Sequence, residues 1–447
     1  MKCEKRLKNS LKNNPRYLAF YVLETISNDR QPTEILKKTF AVRTDIRIED
    51  KRLVHELVYG CVRRKGTLDF IISCYTSDTV KRIHEKVRVL LRIGIYQLKF
   101  MDKIPDFAAI NETVQIAKNI AGKKSAGFVN AILRATLRNP QKLADKELRL
   151  DPIARLAYRE SHPEWLIRRL LECYSPEDIK RFCSFNNSPP PVSLRLNPHK
   201  ISRDQFCARL TEQNIAYKKS HIHPDCVRLL SAGQVNAISG YDEGLFIVQD
   251  ETPASILDTL SASTGEHILD ICAAPGGKTC VLAQQVGDNG TITALDLNRT
   301  RMNVLRRNIV RLRLDNVKTI IGDVSKFQEL RQKLNNTLFD KIVVDPPCSN
   351  TGVLRKRIEA RWRLNVSDFK RLAGLQIEIL RNASQFLKHG GLLLYETCSI
   401  DPEENQYVIS GFLESNPDFN LIKQQLFFPT TPQASDGGFG ALLKRVT

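Results

Sequence analysis

The sequence predicts a multi-domain protein with an all-α N-terminal domain, a small α+β insert and a C-terminal α/β domain. Apolar residues recur every three or four positions over roughly the first 140 residues, as they do on amphipathic helices. A proline-rich break then precedes a few short alternating segments, and from residue 264 onward apolar strands alternate with helices. We expect domains at 1–140, 141–245 and 246–447, a division that suits a chain of 447 residues.

The first 140 residues contain helical patterns separated by residues that break helices. Near the start, Phe20, Leu23 and Ile26 recur every third position and define one apolar face. Glycine and proline punctuate the pattern. The predicted helices are 16–27, 51–63, 67–75, 80–100, 106–121 and 125–138, separated by Gly66, Pro105, Gly122 and Pro140.

The positive charge of the chain is concentrated in the same region. The formal net charge is +19, and residues 1–150 carry 31 basic against 16 acidic side chains, a net of +15. A basic domain joined to a nearly neutral remainder indicates a polyanionic partner, with a generally basic proteome as the alternative. The basic residues on or beside the helices are Arg63, Arg64, Lys65, Lys81, Arg82, Arg88, Arg92, Lys123, Lys124, Arg134 and Arg138.

Composition excludes several classes of protein. No apolar run approaches the ~18 residues of a membrane span, and the eleven cysteines include no Cys-x-x-Cys pair. A disulfide scaffold and a four-thiolate zinc site are therefore not expected. No apolar signal region follows the basic start at Lys2, Lys5, Arg6, Lys8 and Lys12. We expect a cytoplasmic monomer without a metal or a membrane partner.

Residues 141–245 form a transition between the two main domains. A helical pattern at 163–185 ends before the Ser-Pro-Pro-Pro run at 188–191, because proline cannot continue a helix. The next residues, 192–197, alternate like a strand. A helix at 202–214 and short strands at 227–230 and 245–249 complete the predicted α+β insert.

The C-terminal region alternates strands with helices, which predicts a mostly parallel sheet covered by helices on both faces. The predicted strands are 267–272, 291–297, 317–321, 341–344 and 392–395. The predicted helices are 278–286, 299–313 and 367–388.

The junction between the first of these strands and its helix is rich in glycine. It consists of Cys272, Ala273, Ala274, Pro275, Gly276, Gly277 and Lys278. Glycines there let a ligand approach the backbone, and a helix N-terminus favours an anionic group. A phosphate-binding P-loop needs glycine where Cys272 stands, although the strand ending in Asp345 imitates its second motif. The dinucleotide fingerprint is absent. The third interpretation is an S-adenosylmethionine site whose loop receives the methionine carboxylate, and it is favoured over the P-loop, which stays open as an alternative.

Acidic residues follow the next two strands. Asp296 lies nineteen residues beyond Gly277 and fits a contact with the ribose hydroxyls of the cofactor. Asp323 follows the third strand and fits a contact with the adenine or its ribose. An aspartate after a strand is often only a helix cap, but successive strand ends are where open α/β sheets bind ligands.

Two cysteines stand at the ends of later strands. Cys348 follows Asp345 and two prolines, where methylases of exocyclic amines commonly have an aromatic residue, and Cys398 ends the fifth strand. A lone cysteine is usually a small core residue. Two at adjacent strand ends beside a sulfonium cofactor indicate thiol chemistry, because a thiolate that adds to carbon 6 of a pyrimidine activates carbon 5 toward a methyl group. Asp345 could stabilise the base during addition, and the residues alone leave open which cysteine attacks.

At these motifs the sequence resembles the RsmB (Sun or Fmu) family of ribosomal RNA cytosine-5 methyltransferases, within the Nop2/Sun group. The catalytic resemblance rests on the motifs at 248–251, 272–278, 345–349, 351–353, 397–399 and 402–405. The helical domain resembles a NusB-type RNA-binding domain at 50–52, 91–98 and 128–134. The resemblance implies an all-α NusB-like domain and an α/β Rossmann-like methyltransferase domain.

The resemblance also implies roles for individual residues. Cys398 would attack carbon 6, Cys348 would assist release of the methylated base, and Asp345 would face the cytosine. The loop of Cys272, Ala273, Ala274, Pro275, Gly276, Gly277 and Lys278, together with Asp296, Asp323 and Asp345, would contact S-adenosylmethionine. The substrate implied is a cytidine of 16S ribosomal RNA.

Two departures from the family pattern and two alternatives remain. Glu359 replaces the usual aspartate, and the glycine-rich segment at 435–440 has smaller side chains than the usual Asp-Gly-Phe-Phe. We expect this second departure to loosen a wall near the active site.

The alternative functions are the same reaction on transfer RNA or large-subunit RNA, and a non-catalytic RNA-binding assembly factor with a vestigial methylase fold. The presence of both thiols argues against the second.

Overall fold

The computed structural model describes residues 11, 13–26, 31–43, 45–77, 79–230, 233–431 and 434–446. The basic start at Lys2, Lys5, Arg6, Lys8 and Lys12 lies outside the described residues. The chain divides into two compact units. The first contains the residues up to Asn187 together with Arg357–Arg363, and the second contains Ser188–Lys356 and Leu364–Thr447. The finer division into three domains stays a prediction.

Within the described residues, the regular structure of the first unit is entirely helical. Its helices are α1 (Pro15–Thr25), α2 (Pro32–Ala41), α3 (Ile48–Arg63), α4 (Lys65–Tyr75), α5 (Glu85–Phe100), α6 (Asp106–Arg138), α7 (Pro140–Leu148), α8 (Pro152–Glu160), α9 (Glu164–Leu171), α10 (Pro176–Asn187) and the short α16 (Ala360–Arg363). The all-α prediction for this region is confirmed.

The helices of the first unit pack through the apolar faces that the sequence predicts. On α3, Val54, Leu57, Val58 and Cys61 are buried in one cluster, at the spacing of one helix face. Gly60 lies on the same helix, and a β-carbon at this position would come within 2.0 Å of the ring of Tyr96 on α5. Close packing of α3 on α5 therefore requires a residue without a side chain at this position.

Two predicted helices of this region were wrong in detail. Residues 163–185 form two helices, since Pro176 opens α10, and proline is favoured at the first position of a helix. Residues 80–100 begin with a separate 3₁₀ turn at Val80–Arg82 before α5 starts at Glu85. The predicted break at Gly122 is confirmed, because that residue leaves the helical conformation inside α6 with φ of 84°.

The segment Arg357–Arg363 joins the helical unit although it follows the fourth strand of the α/β domain in sequence. Arg361 is fully buried, and its guanidinium donates to the carbonyl oxygens of Ser161 and Asn186 at 3.2 and 3.1 Å. Trp362 donates its indole N–H to the carbonyl of Val62 at 2.7 Å. Nothing in the sequence pattern predicts this placement.

The second unit begins with a small antiparallel sheet of four strands in the order β2-β3-β1-β4. Its elements are β1 (Val192–Leu196), α11 (Arg203–Glu212), β2 (Tyr217–Lys219), β3 (Cys226–Leu229) and β4 (Phe246–Val248). Leu194, Phe206 and Phe246 pack in one buried cluster between the sheet and α11. The predicted α+β insert is confirmed.

The large sheet of the second unit has seven strands in the order β10-β11-β9-β8-β5-β6-β7. The five strands from β9 to β7 are parallel to one another. Strand β11 is antiparallel to both of its neighbours, β9 and β10. The strands are β5 (His267–Ile271), β6 (Thr291–Asp296), β7 (Val317–Ile321), β8 (Phe339–Val344), β9 (Leu387–Thr397), β10 (Phe419–Phe427) and β11 (Gly438–Arg445). The helices are α12 (Glu251–Asp258), α13 (Gly277–Val286), α14 (Arg299–Leu312), α15 (Phe327–Lys333), α17 (Val366–Ser384) and α18 (Gln406–Ser415).

Both faces of this sheet are covered, as the sequence predicts. Ile268 belongs to a buried cluster with Leu282 of α13 and Met302 of α14. The next residue, Leu269, belongs to a second cluster with Leu380 of α17. Because successive residues of a strand point to opposite faces, the strands must be apolar on both sides. The α/β class with a mostly parallel sheet is confirmed.

Candidate active site

The glycine-rich loop between β5 and α13 has a backbone that few residues can adopt. Cys272 has φ of 60° and Gly276 has φ of 101°, both in the left-handed region. A β-carbon on Gly276 would lie 2.1 Å from Leu305, so glycine is required there for two reasons. Helix α13 begins at Gly277. The loop therefore delivers a helix N-terminus, which attracts anions, to the carboxyl edge of the sheet.

Asp296 lies beside this loop. Its carboxylate accepts from the backbone N–H of Ala274 at 3.0 Å and from that of Asn298 at 2.7 Å. The N–H of Gly322 donates to the carbonyl of Asp296 at 3.3 Å, which brings the turn after β7 to the same edge. Asp323 in that turn accepts from the N–H and hydroxyl of Ser325 at 3.0 and 2.7 Å. The structure thus brings Asp296 to the loop and places Asp323 at the next strand end.

Lys278 lies between two carboxylates. Its Nζ is 2.6 Å from Asp345 Oδ2 and 3.5 Å from Glu396 Oε1. Burial by itself would lower the pKa of Lys278, but the charges of Asp345 and Glu396 outweigh it and raise that pKa above its usual value. Lys278 therefore stays charged and holds Asp345 at the strand end.

Glu396 is a site residue that the sequence reasoning missed. It is 4% exposed, and among the residues that the structure describes its Oε2 atom has no hydrogen-bond partner. Burial raises the pKa of Glu396 to about 8, against the opposing charge of Lys278. The signal in the sequence that could have identified Glu396 was a carboxylate within an apolar strand, directly before the Thr-Cys-Ser motif.

The two cysteines that the sequence singled out come together. Cys348 follows β8 and Cys398 follows β9, and these parallel neighbours are in register with Val344 opposite Tyr395. The two Sγ atoms are 3.3 Å apart. Hydrogen bonding to Cys398 and burial raise the pKa of Cys348 well above its usual value. Cys348 therefore keeps its proton.

Asn350 contacts both cysteines, and the sequence did not identify it as a site residue. Its side-chain N–H donates to the carbonyl of Cys348 at 2.8 Å, and its Oδ1 lies 3.4 Å from the thiol of Cys398. Asn350 has φ of 63°, a conformation that asparagine tolerates better than most residues. It fixes the Cys348 loop against the second thiol.

A buried carboxylate ties the two cysteine loops together. Glu404 accepts from the N–H of Ser349 at 2.8 Å, from the hydroxyl of Ser399 at 2.6 Å and from the amide of Gln376 at 3.0 Å. Ser349 and Ser399 each follow one of the cysteines directly in sequence. Because this one buried side chain binds both loops, it holds the two loops, and with them the two thiols, at a fixed separation.

The glycine-rich segment at 435–440 packs against the Cys348 loop. The N–H of Gly437 donates to the carbonyl of Gly352 at 2.8 Å, and a β-carbon on Gly352 would lie 2.6 Å from Gly437. Asp436 forms a buried ion pair with Arg355 and lies 2.8 Å from Lys356. The small residues therefore allow a close backbone contact at this wall.

Comparison with known families covers most of the chain. Residues 13–138 match the NusB family, and residues 162–236 match the RsmF/B-like ferredoxin-like domain. Residues 257–442 match the family described as 16S rRNA methyltransferase RsmB/F.

Curated relatives extend the match to nearly full length. The probable ribosomal RNA small subunit methyltransferase B of Bacillus subtilis is 33% identical over 429 residues, which are 95% of this chain and 94% of that protein. The ribosomal RNA small subunit methyltransferase B of Vibrio cholerae is 35% identical over 413 residues, 91% of this chain and 92% of that protein. The chain belongs to the ribosomal RNA small subunit methyltransferase B family. It is an S-adenosylmethionine-dependent methyltransferase, and the resemblance seen in its motifs is confirmed.

Solved structures agree with the fold of this family member. A crystal structure of the protein PH0851 overlaps 96% of this chain and 99% of its own with a TM-score of 0.81, and at 24% identity it shows the fold alone. A methyltransferase homolog protein from Pyrococcus horikoshii is 26% identical and overlaps 66% of this chain and 100% of its own with a TM-score of 0.58. The Rossmann-like class of the catalytic domain is confirmed.

The glycine-rich loop of this methyltransferase fits the cofactor of its class. The nearest atom to a β-carbon built on Gly277 would be the side-chain amide nitrogen of Gln249 at 3.8 Å, so the space above the helix N-terminus is open. Asp296 and Asp323 retain acceptor positions beyond those used by the backbone, because a carboxylate has about four lone-pair sites. In the described ranges, no cluster of His, Cys, Asp or Glu could hold a metal ion. No helix there has the length and apolar character to cross a membrane.

Asp270 is a second buried acid that the sequence did not single out. It is fully buried on β5, where it accepts from the Thr279 hydroxyl at 2.5 Å. Burial raises its pKa from 3.8 to about 7. The folded methyltransferase therefore holds this proton more tightly than the unfolded chain does.

We expect Asp270→Asn to flatten the dependence of stability on pH. A raised folded-state pKa stabilises the wild-type protein below pH 4, and this stabilisation is lost as the pH rises through about 7. The wild-type free energy of unfolding should therefore fall by about 3 kcal/mol more than that of the variant between pH 5 and pH 8. Urea unfolding of the cofactor-free proteins at the two pH values measures this difference, and parallel pH profiles would contradict it.

Proposed function

We propose that this methyltransferase methylates carbon 5 of a cytidine in 16S ribosomal RNA through a covalent bond between Cys398 and the base. The observation that carries the proposal is the pair of free thiols, Cys348 and Cys398, 3.3 Å apart at the ends of neighbouring strands. An RNA substrate from the small ribosomal subunit is supported by the names of the curated relatives. Thiols at such a site suit a pyrimidine carbon, which must be activated before it can accept a methyl group.

The residues proposed to hold S-adenosylmethionine are the loop from Cys272 to Lys278 together with Asp296, Asp323 and Asp345. The N-terminus of α13 would receive the carboxylate of the methionine part. Asp296 would accept hydrogen bonds from the ribose, and Asp323 from the adenine or its ribose. When bound, the cofactor supplies an electrophilic methyl group on a positively charged sulfur.

In the proposed first step, the Cys398 thiolate attacks carbon 6 of the cytosine. The bond from sulfur to carbon 6 forms, and the electrons of the ring double bond become available at carbon 5. The family resemblance assigns the attack to Cys398, and hydrogen bonding and burial raise the pKa of Cys348, which suits a thiol that acts as a proton or hydrogen-bond donor. Asp345, held by Lys278 at 2.6 Å, would accept a hydrogen bond from the exocyclic amine, and a second from N3 once N3 takes a proton from water as charge develops on the ring.

In the proposed last step, the methylated base leaves the enzyme. The proton on carbon 5 departs to water, the double bond re-forms, and the bond between carbon 6 and the Cys398 sulfur breaks, with its electron pair returning to the sulfur. The Cys348 thiol lies 3.3 Å from that sulfur, within reach to donate a hydrogen bond to the leaving thiolate. Cys348 would thereby assist release.

The proposed division of labour follows the three predicted domains. Residues 1–140 and the insert at 141–245 would bind the RNA, and residues 246–447 would carry out the chemistry. The excess of basic side chains in residues 1–150, a net of +15, supports contacts with phosphates. Such contacts should make RNA binding strongly dependent on salt.

The proposal is tested by identifying the methylated nucleoside and by measuring the hydrogen that is released from carbon 5 of cytidine. Purified protein is incubated with S-adenosylmethionine and an in vitro transcript of 16S ribosomal RNA that carries tritium at carbon 5 of cytidine. We expect one tritium released per methyl group transferred, because the new bond replaces the hydrogen on carbon 5. Mass spectrometry of the digested RNA should identify 5-methylcytidine.

Three results would contradict the proposal in different ways. Methyl transfer without release of tritium would show that the methyl group is placed elsewhere on the base. Methylation of transfer RNA or large-subunit RNA in preference to the 16S transcript would change the substrate. Binding of RNA without any methyl transfer would favour a non-catalytic assembly factor.

A further inference from the structure

The helical unit contains a cavity of about 160 Å³. Its walls come from the end of α1, the end of α3 and the start of α4, from the first two turns of α5, and from the Arg357–Arg363 segment. All of these belong to the same compact unit. Leu23, Ile26 and Val89 form an apolar part of the lining, and the remainder is largely charged.

Positive charge exceeds negative charge around this cavity. Its lining includes four basic side chains, those of Lys65, Arg88, Arg92 and Arg363, and two acidic ones, those of Glu85 and Glu359. Arg92 is neutralised locally, because it forms a bidentate pair with Asp69 at 2.7 and 2.8 Å. Lys65 and Arg88 contribute positive charge that this pair does not offset.

Within the part of the chain that the structure describes, no ion pair joins Lys65 or Arg88 to a carboxylate, although the charges of Asp69 and Glu85 act on Lys65. The Lys65 amino group lies 5.4 Å from the centre of the Trp362 ring, so a cation-π contact holds it at the cavity wall. Arg88 donates to the carbonyl of Val80 at 3.4 Å, and its Nε atom is buried without a hydrogen-bond partner. An unsatisfied buried donor is costly unless a ligand satisfies it.

The surroundings of Lys65 disfavour its positive charge. Burial lowers the pKa of Lys65, and the charges of Arg92 and Arg88 lower it further against the opposing charges of Asp69 and Glu85. A cation that is destabilised by its neighbours in the free protein gains most from a bound anion.

We propose that this cavity binds a phosphate of the RNA backbone, with Lys65 and Arg88 as its cationic ligands. The inference rests on the proposed function, which supplies RNA as the polyanion. Trp362 holds Lys65 in place, and Arg88 offers its guanidinium to the phosphate oxygens. Glu85 and Glu359 at the lining disfavour further anions, so the cavity takes one phosphate rather than several.

The test compares RNA binding by full-length variants over a series of salt concentrations. In the Lys65→Gln, Arg88→Gln double variant, affinity for the in vitro 16S transcript should fall roughly tenfold at fixed salt. The slope of log affinity against log salt should become shallower by about one. Lys65→Arg keeps the charge and should bind nearly as well as wild type.

A matched control separates this site from general surface charge. Lys37 is exposed on α2 outside the cavity, and Lys37→Gln removes the same charge. An equal loss of affinity in Lys37→Gln and Lys65→Gln would overturn the site, because it would indicate diffuse attraction. Thermal unfolding curves of the variants that match the wild type show that folding is intact.

Inorganic phosphate distinguishes a backbone site from a site for a free anion. If inorganic phosphate raises the melting temperature of wild type but not of the double variant, while both bind RNA equally, the cavity serves a free anion and the RNA proposal is wrong. Methyl transfer is measured in the same samples. Binding that depends on Lys65 and Arg88 in a protein that transfers no methyl group would leave the phosphate site standing and overturn the proposed function alone.

Discussion

The Cys398→Ala variant is expected to transfer no methyl group and to form no covalent complex with RNA. Without the Cys398 sulfur, no bond to carbon 6 can form, and carbon 5 stays unreactive toward the methyl donor. The loss should reach the detection limit of the assay, because in the proposed mechanism Cys348, 3.3 Å away, assists release and does not attack the base. Transfer of labelled methyl groups to the 16S transcript measures the activity, and denaturing electrophoresis measures the complex.

The companion variant Cys348→Ala should behave in the opposite way in the electrophoresis. Attack by Cys398 remains possible, but the thiol that assists its departure is gone, so protein crosslinked to RNA should accumulate. Cys173→Ala is the matched control, since Cys173 is exposed and belongs to the helical unit, and it should retain wild-type activity. Crosslinked protein from Cys398→Ala and none from Cys348→Ala would reverse the assignment of the nucleophile.

The second large effect is expected from Asp345→Asn. This change keeps the shape of the side chain but removes the charge that Lys278 holds at 2.6 Å. An amide cannot accept hydrogen bonds from both N3–H and the exocyclic amine as a carboxylate can, so stabilisation of the attacked ring is lost. We expect kcat to fall roughly a hundredfold to a thousandfold, measured by initial rates of methyl transfer.

A matched control and a second readout make this prediction specific. Asp315→Asn removes the same charge at an exposed position and should leave kcat unchanged. RNA affinity of Asp345→Asn should match the wild type, because the proposed phosphate contacts lie in the helical unit. A variant with normal kcat and weakened cofactor binding would show that Asp345 serves the cofactor alone.

The sequence was most informative where the functional residues lie close together in short motifs. The loop at 272–278 requires its glycines locally, because Gly276 has a positive φ and no room for a β-carbon. The strands β5, β6 and β8 are apolar on both faces, so their pattern alone indicated a covered parallel sheet. These features depend on neighbours in the chain and could be predicted from it.

Other elements could not be predicted, because their patterns are weak. The edge strand β10 (Phe419–Phe427) is exposed over most of its length, so it lacks the alternation of a half-buried strand. Its partner β11 contains Gly438 and Gly440, which strands disfavour. The hairpin forms because it completes the sheet beside β9, a tertiary contact that outweighs local preference.

By itself, the sequence determined the fold class, the apolar strands, the glycine loop and the residue types of the site. Only the tertiary structure decided which distant residues meet. Strand order and register bring Cys348 to within 3.3 Å of Cys398, set Glu396 beside Lys278, and let Glu404 tie the two cysteine loops together. The reason is physical, since periodicity and turn chemistry act over a few residues. Contacts across fifty or more residues depend on how the packed elements share one core.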